Sequence, residues 1–333
     1  KCYWLHGGKE RDAEIPLEMA VSKYLEFKKN KIRASSLNRE RISLNQLMEC
    51  LGFSFNVSEL HDGHIDDKDG FIDYYQSKGY ENTGINLSLR NIKTFTKWLH
   101  KKAKLIDEQI EFNFLKEYYV ECFVDEHQVK EIYNYIDDET NGIDSYFKRA
   151  LMFYERTGCR AIEPYISEIY GDWLYVQANK SKGGRIRKIK LNDDLKSIWM
   201  EMQGRKQNYI DNGSKRPNQA SYERVAKVLK KIVNAIGITS REITLKSFRH
   251  QYAIKRVFIT GNVVQVAMEM GHSQITTTQR YLRFQLDELI QYFPSLQPYV
   301  ENLKNVGKNM QDGNKKMETQ ELSNINLYHS HRE

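Results

Sequence analysis

The sequence predicts a mainly α-helical protein of two domains with one small antiparallel β-sheet. Three observations carry that expectation. The chain is 333 residues long, and a domain usually takes roughly 100–200 residues. Apolar residues recur at three- and four-residue spacing along most of it, the period of a helix with one buried face. One stretch, "DWLYVQANKSKGGRIRKIKL" (172–191), has instead the β-rich flanks and the Gly183–Gly184 turn of a hairpin.

The elements follow in order. Residues 1–13 hold a Gly7–Gly8 turn and open at Lys1 rather than Met, so they read as a remnant or the end of a missing N-terminal module. Residues 14–105 read as a helical bundle. Its strongest helices are "PLEMAVSKYLEFKKNK" (16–31), "SSLNRERISLNQLMECLG" (35–52), which opens on a serine cap and stops at Gly52, and "NTGINLSLRNIKTFTKWLHKK" (82–102). Residues 106–123 lack a helical period and are expected to be a linker. A second domain over 124–305 should carry helices near 125–136 and 144–158, then the hairpin. Further helices are expected near 192–204, 221–235, 246–259, 262–270, 274–282 and 286–303. The polar stretch 306–333 reads as a loosely ordered tail.

Composition narrows the function. Hydrophobic residues at 40% suffice for sizeable cores, and a formal charge of +7 weakly favours an acidic partner such as nucleic acid. Cys2, Cys50, Cys122 and Cys159 have neither disulfide nor zinc spacing and fit a reducing cytosol. No signal peptide and no apolar run of about 18 residues is present, so no membrane span is expected. There is no phosphate-binding glycine loop of the Walker type and no carboxylate cluster of the two-metal kind. "HDGHIDDKDG" (61–70) reads as a polar loop. No metal and no cofactor is therefore expected.

Four blocks of the second domain carry the chemistry: "RTGCRAIEPYISEI" (156–169), the basic hairpin around Lys182, "TLKSFRHQYA" (244–253) and "MGHSQITTTQRYLRF" (270–284). At these residues the chain resembles the tyrosine recombinase family of phage integrases, Xer recombinases and Cre. Thr157, Gly158, Arg160 and Glu163 match the family's "TG-x-R-x-x-E". Lys182 and Leu191 match its hairpin lysine and the apolar residue nine positions on. Arg249, His250, Tyr252 and Ala253 match the second arginine and the helix that follows it. Gly271, His272 and Ser273 match its "GHS", with Tyr281 nine residues past the histidine. The likeness spans about residues 15–300, generic in the first domain and specific in the second.

The resemblance implies a helical core-binding domain and a mixed α/β catalytic domain closing around duplex DNA. It implies a site-specific recombinase that cuts and rejoins DNA by type IB transesterification through a 3′-phosphotyrosyl bond. The residue types suit that chemistry. Arg160 and Arg249 can clamp the non-bridging oxygens of the attacked phosphate with bidentate, charge-assisted hydrogen bonds. Tyr281 is the expected nucleophile; a free phenol of pKa about 10 is ionised about one part in a thousand at pH 7, and nearby cations favour the phenolate. Lys182 is the expected proton donor to the leaving 5′-oxygen, with Lys180 its rival. His272 can donate to the phosphate or assist proton transfer. Glu163 is expected to orient a catalytic side chain, and His250 to be structural rather than catalytic.

One departure stands out. The family usually has histidine three residues before the second arginine; here the residue is Lys246. Lysine supplies charge but is a poorer proton acceptor near neutral pH, so Lys246 is expected to act electrostatically. Pro164 disfavours helix at Glu163, so the helix near Arg160 should be short or begin only after it.

Six cations and no acids fall between Lys180 and Lys190. Lys180, Arg185, Arg187 and Lys188 are thus candidate phosphate contacts, as are Arg90, Lys93 and Lys97 on the third helix of the first domain. By resemblance the partners are double-stranded DNA and a homotetramer on two DNA sites, from a protein monomeric when free, with DNA-bending accessory factors conceivable and no membrane. A nucleoid-associated cytoplasmic protein of prokaryotic or viral origin is expected. Two rivals stay open: a type IB topoisomerase or telomere resolvase with the same site, and an inactive site-specific DNA-binding protein.

Overall fold

The structure, a computed structural model, describes residues 14–117, 122–176, 186–239 and 242–301. The segments 1–13 and 302–333, the hairpin turn Gly183–Gly184, and Lys180, Lys182 and Arg185 lie outside the described residues. The chain divides into two compact units between Val120 and Glu121.

The first unit is helical. It contains α1 (Leu17–Lys28), α2 (Ala34–Leu51), the short α3 (Gly63–Asp66), α4 (Phe71–Ser77) and α5 (Asn82–Trp98). α5 buries Ile85, Leu89, Ile92, Phe95 and Trp98, which recur at helical spacing along one face. Tyr24 of α1 meets Phe95 and Trp98 edge-on, with ring centroids 5.2 and 5.4 Å away. The helix expected to run to residue 102 changes to a π-helical turn at Leu99–Ala103 and ends at Lys104, whose φ of 57° is left-handed.

The segment read as a linker adds to this unit's core instead. Ile106, Ile110 and Phe112 are buried in it. Asn86 of α5 holds the chain there: its amide donates to the Leu115 carbonyl at 2.8 Å, and its oxygen accepts from the Leu115 N–H at 2.9 Å. A buried amide must find such partners, and an irregular backbone supplies them. "HDGHIDDKDG", expected as a loop, contains the single turn α3.

The second unit opens with α6 (Glu126–Asp137), closed at its start by a capping box between Asp125 and Gln128. α7 (Tyr146–Thr157) and α8 (Glu163–Ile166) follow. α8 starts after Arg160 and is four residues long, with Pro164 in its first turn, as the proline implies. The sheet contains β1 (Glu168–Tyr170), β2 (Trp173–Val176) and β3 (Arg187–Lys190) in the order β1-β2-β3, antiparallel throughout. β2 and β3 are the expected hairpin, with Leu174 opposite Ile189. β1 was not foreseen: its three residues are too few to show a period, and they pair with β2 across Gly171 at a φ of 58°.

The remaining helices are α9 (Asp193–Asp211), α10 (Pro217–Ala235), α11 (Leu245–Thr260), α12 (Val263–Met270), α13 (Thr276–Gln279) and α14 (Leu286–Tyr292). The helix expected near 286–303 is interrupted at Pro294, which cannot continue α14, and helix resumes over 297–301. α11 runs between two cores. On one side Leu245 and Phe248 join the cluster of α6, α7, α9 and α10. On the other, Ala253, Ile254 and Val257 pack with Val266, Met270, Leu289 and Phe293. Residues on α11 are thereby held rigidly at the centre of the unit.

Candidate active site

Two helix ends make the frame. α7 and α12 both stop at glycines in the left-handed region, Gly158 at φ 59° and Gly271 at φ 61°. At Gly158 a Cβ would also stand 2.4 Å from Tyr252 Cδ1, so only glycine fits. The last carbonyls of a helix lack intrahelical donors and carry partial negative charge. Here guanidiniums satisfy them.

Arg249 of α11 donates to the Gly158 carbonyl at 2.6 Å and the Met270 carbonyl at 2.5 Å. Arg187 of β3 donates to the carbonyls of Thr157 at 3.0 Å and Glu269 at 2.5 Å. Arg160, in the turn after α7, donates to the Gly271 carbonyl at 3.2 Å. All three surround the buried carboxylate of Glu163. Arg160 donates to its Oε1 at 2.6 Å and Arg187 to its Oε2 at 2.5 Å, while Arg249 lies 3.9 Å away. The Arg160 N–H adds a bond to the same carboxylate at 2.8 Å.

Burial works to raise the Glu163 carboxyl, but Arg187 and Arg249, with the Arg160 N–H and charge, bring it below the ordinary carboxylate range. Burial, with Arg187 and Arg160 nearby, pushes Arg249 down to about 9, so it stays charged at neutral pH. Three guanidiniums against one carboxylate leave two positive charges in excess, a ready receptor for an anion. Cys159 lies buried beside this cluster, and burial pushes its thiol up to about 11.

His272 directly follows Gly271. Its Nδ1 lies 2.8 Å from the Thr278 hydroxyl, which is itself buried. Burial and the charges of Arg249, Arg160 and Arg187 hold it down to about 4, so the ring is neutral at pH 7. Tyr281 sits in a 3-10 turn, Arg280–Arg283, that continues directly from α13. It is 4% exposed and packs in the core with Ile254, Val266 and Met270. Its Oη is 2.6 Å from His250 Nδ1. Lys246 is exposed one turn before His250 on α11, and its charge reaches that ring.

The structure thus brings Arg160, Glu163, Arg249, His250, His272 and Tyr281 to one place, with Lys246 at its edge. Arg187, expected as a surface phosphate contact, is instead 3% exposed and fully engaged within the site. The signal was present: β3 alternates, so Arg187 faces inward with Ile189 while Lys188 and Lys190 face out. Lys188 lies over the Tyr175 ring at 5.1 Å. In the first unit Arg90 and Lys93 are paired with Glu117 at 2.9 Å and Glu111 at 3.1 Å, while Lys97 is exposed. Thr278 was missed; its place three residues before Tyr281 was the available hint. Among the described residues no group of three or more His, Cys, Asp or Glu is placed to hold a metal, and no helix is long and apolar enough to cross a membrane.

Comparison with known proteins bears on this geometry. Residues 122–287 match the phage integrase family. A lambda integrase dimer bound to a COC′ core site is similar at a TM-score of 0.65 and 14% identity, over 83% of this chain and 81% of that one. A lambda integrase tetramer bound to a Holliday junction also scores 0.65 at 14% identity, over 81% and 78% of the two chains. The Tn1549 transposon integrase in complex with transposon right-end DNA scores 0.60 at 15% identity, over 82% and 97%. At these identities the structural likeness establishes the fold. A comparison with curated protein sequences finds no match.

Proposed function

The chain belongs, through residues 122–287, to the phage integrase family and is a tyrosine-type site-specific recombinase; we propose that Tyr281 is its nucleophile and that Arg160, Arg249 and His272 bind the phosphate it attacks. The observation that carries this reading is the convergence of two arginines on the ends of α7 and α12, with the Tyr281 hydroxyl bonded to the same helix that bears Arg249.

The chemistry follows from the charges. Tyr281 Oη bonds to phosphorus, the bond to the 5′-oxygen breaks, and a 3′-phosphotyrosyl link remains. Negative charge gathers on the non-bridging oxygens as this happens, and the excess positive charge of the arginine cluster is fixed in advance to meet it. Preorganised donors of this kind contribute on the order of 10²–10³ in rate each. Lys182 of the basic hairpin protonates the leaving 5′-oxygen. Lys246 adds charge at the rim. A 5′-hydroxyl from a partner strand reverses the step, so bond energy is conserved and no cofactor is consumed. The likeness to lambda integrase on a core site and on a Holliday junction supports duplex DNA as substrate and a tetramer on two sites as the working assembly.

The test uses nicked duplexes of randomised sequence, which trap covalent protein–DNA complexes because the cleaved strand diffuses away. Wild-type protein is expected to give an SDS-resistant adduct and Tyr281→Phe none. An adduct of equal yield with Tyr281→Phe would remove Tyr281 from the reaction.

A further inference from the structure

Taking Tyr281 as the nucleophile, as above, the phenol must lose its proton when Oη bonds to phosphorus, and the recipient has to be within hydrogen-bonding reach. The position from which the family usually supplies a histidine holds Lys246 here. An ammonium group donates and has no lone pair to accept with. Lys246 is moreover exposed, whereas Tyr281 is buried.

One turn further along α11 stands His250. Residues four apart lie on the same helical face, so the ring projects beside Lys246 toward the site. Its Nδ1 is 2.6 Å from Tyr281 Oη, and the two rings meet edge-on with centroids 5.6 Å apart. Its other nitrogen, Nε2, is buried and has no hydrogen-bond partner among the described residues. The polar contact that places this ring is the one to the phenol. We infer that His250 is a catalytic residue, the proton acceptor for Tyr281, standing in one helical turn beyond the lysine that replaces the usual histidine.

The balance is simple. The Oη–H bond breaks and its proton passes to Nδ1, while the Oη–P bond forms and the P–O5′ bond breaks. The 5′-oxygen takes its own proton from a separate donor, Lys182. On reversal Nδ1 returns the proton to Oη. The groups facing His250 are Lys246 and Arg249 on α11, His272 after α12, and Tyr281 itself. Burial and the first three of these push the imidazole down to about 4, so it is unprotonated with a free lone pair throughout the neutral range. A weak base is a poor sink in isolation. Here the bound phosphate brings negative charge beside it at the moment of transfer, and the short, fixed hydrogen bond removes the need for a diffusing acceptor.

The experiment follows the rate of adduct formation by His250→Asn, whose carboxamide reaches the place of Nδ1, and by His250→Gln, against wild type between pH 7 and 9. The duplexes are those selected by wild-type protein from the randomised nicked pool, and DNA binding is measured alongside. Both variants are expected to bind DNA like wild type and to lose at least about 100-fold in rate at pH 7. That loss should shrink about tenfold per pH unit, because the fraction of ionised phenol rises tenfold per unit below its pKa of about 10. A loss equal at every pH, or no loss in either variant, overturns the proton-acceptor role while leaving Tyr281 in place as nucleophile. Absence of any adduct with wild-type protein instead overturns the nucleophile reading, and this inference with it. Duplexes with a bridging 5′-sulfur, whose thiolate leaves without a proton, separate the two ends of the reaction: they should rescue Lys182→Ala and leave the His250 variants slow. Rescue of the His250 variants by sulfur overturns the inference.

Discussion

Glu163 is the residue on which the site turns. Among the described residues its carboxylate is the counter-charge within the cluster of Arg160, Arg187 and Arg249, and each oxygen is within 2.6 Å of one guanidinium. Glu163→Gln keeps the shape and removes the charge, leaving buried guanidiniums opposed only by carbonyls. Breaking a buried pair from one side costs about 3–5 kcal/mol, and denaturant unfolding at pH 7 should show a loss of that order. Acid has a related effect with a definite sign. The Glu163 carboxyl titrates lower in the folded chain than in the unfolded one, so its contribution is complete above about pH 4.3 and is lost as pH falls through its folded value. His250 and His272 act earlier. Both are held down to about 4 in the folded chain, against about 6.5 when unfolded. The unfolded chain therefore binds more protons between these values, and stability falls as pH drops from about 6.5 toward 4. His272→Gln should flatten that part of the curve, and Glu163→Gln the part below it. A denaturation midpoint constant from pH 7 to 4 would contradict the assignments of His250 and His272.

At the scale of elements, the paired ends of α7 and α12 do the positioning, and each depends on a glycine. Gly158→Ala is predicted to cost at least about 2 kcal/mol, the sum of a left-handed backbone and a collision with the Tyr252 ring. Its thermal midpoint should fall, and adduct formation with it, because the displaced carbonyl is the one that Arg249 and Arg187 share. The helices themselves were legible in the sequence wherever apolar residues kept a helical period, as in α5, α6 and α11. Arg160, Arg249, His272 and Tyr281 were named by resemblance to a family whose motifs are local in sequence, and the structure brings them to one place. What could not be read was set by partners distant in sequence. Arg187 looked like a surface cation because charge usually means exposure; only the alternation of β3 argued otherwise. Ile106, Ile110 and Phe112 showed no period because the segment is held by side chains of α5, among them Asn82 and Asn86, rather than by a partner strand. The Tyr281–His250 contact joins residues on two elements, and no spacing rule announces it.

Over the whole molecule, the net charge of +7 is unevenly used. Many surface cations of the described residues are matched by acids: Arg90 with Glu117, Lys148 with Asp137, Arg149 with Glu201, Arg156 with Asp194, Arg205 with Asp144. Such exposed pairs contribute only about 0–1 kcal/mol each, but they cancel one another's far field. The arginine cluster does the reverse, holding positive charge in excess where water is largely excluded and where an anion gains most. A surface cavity of about 520 Å³ between α7, α9 and α10 is also lined by cations, Arg205, Arg224, Lys227 and Lys231, yet shares no residue with the cluster.

The buried thiol of Cys159 gives the recombinase an internal clock. Cys50 and Cys122 are half-buried, whereas Cys159 is sealed beside Arg160, and its raised pKa keeps it out of the reactive thiolate form. An alkylating reagent can therefore reach it only when the second unit opens around the arginines. Timed labelling followed by mass spectrometry is expected to show Cys159 modified far more slowly than Cys50 and Cys122, and slower still once DNA occupies the cluster. Labelling of Cys159 at the same rate as Cys50 and Cys122 would mean that the helix ends framing the site are open most of the time. A residue with no part in the chemistry thereby reports how often the catalytic centre comes apart.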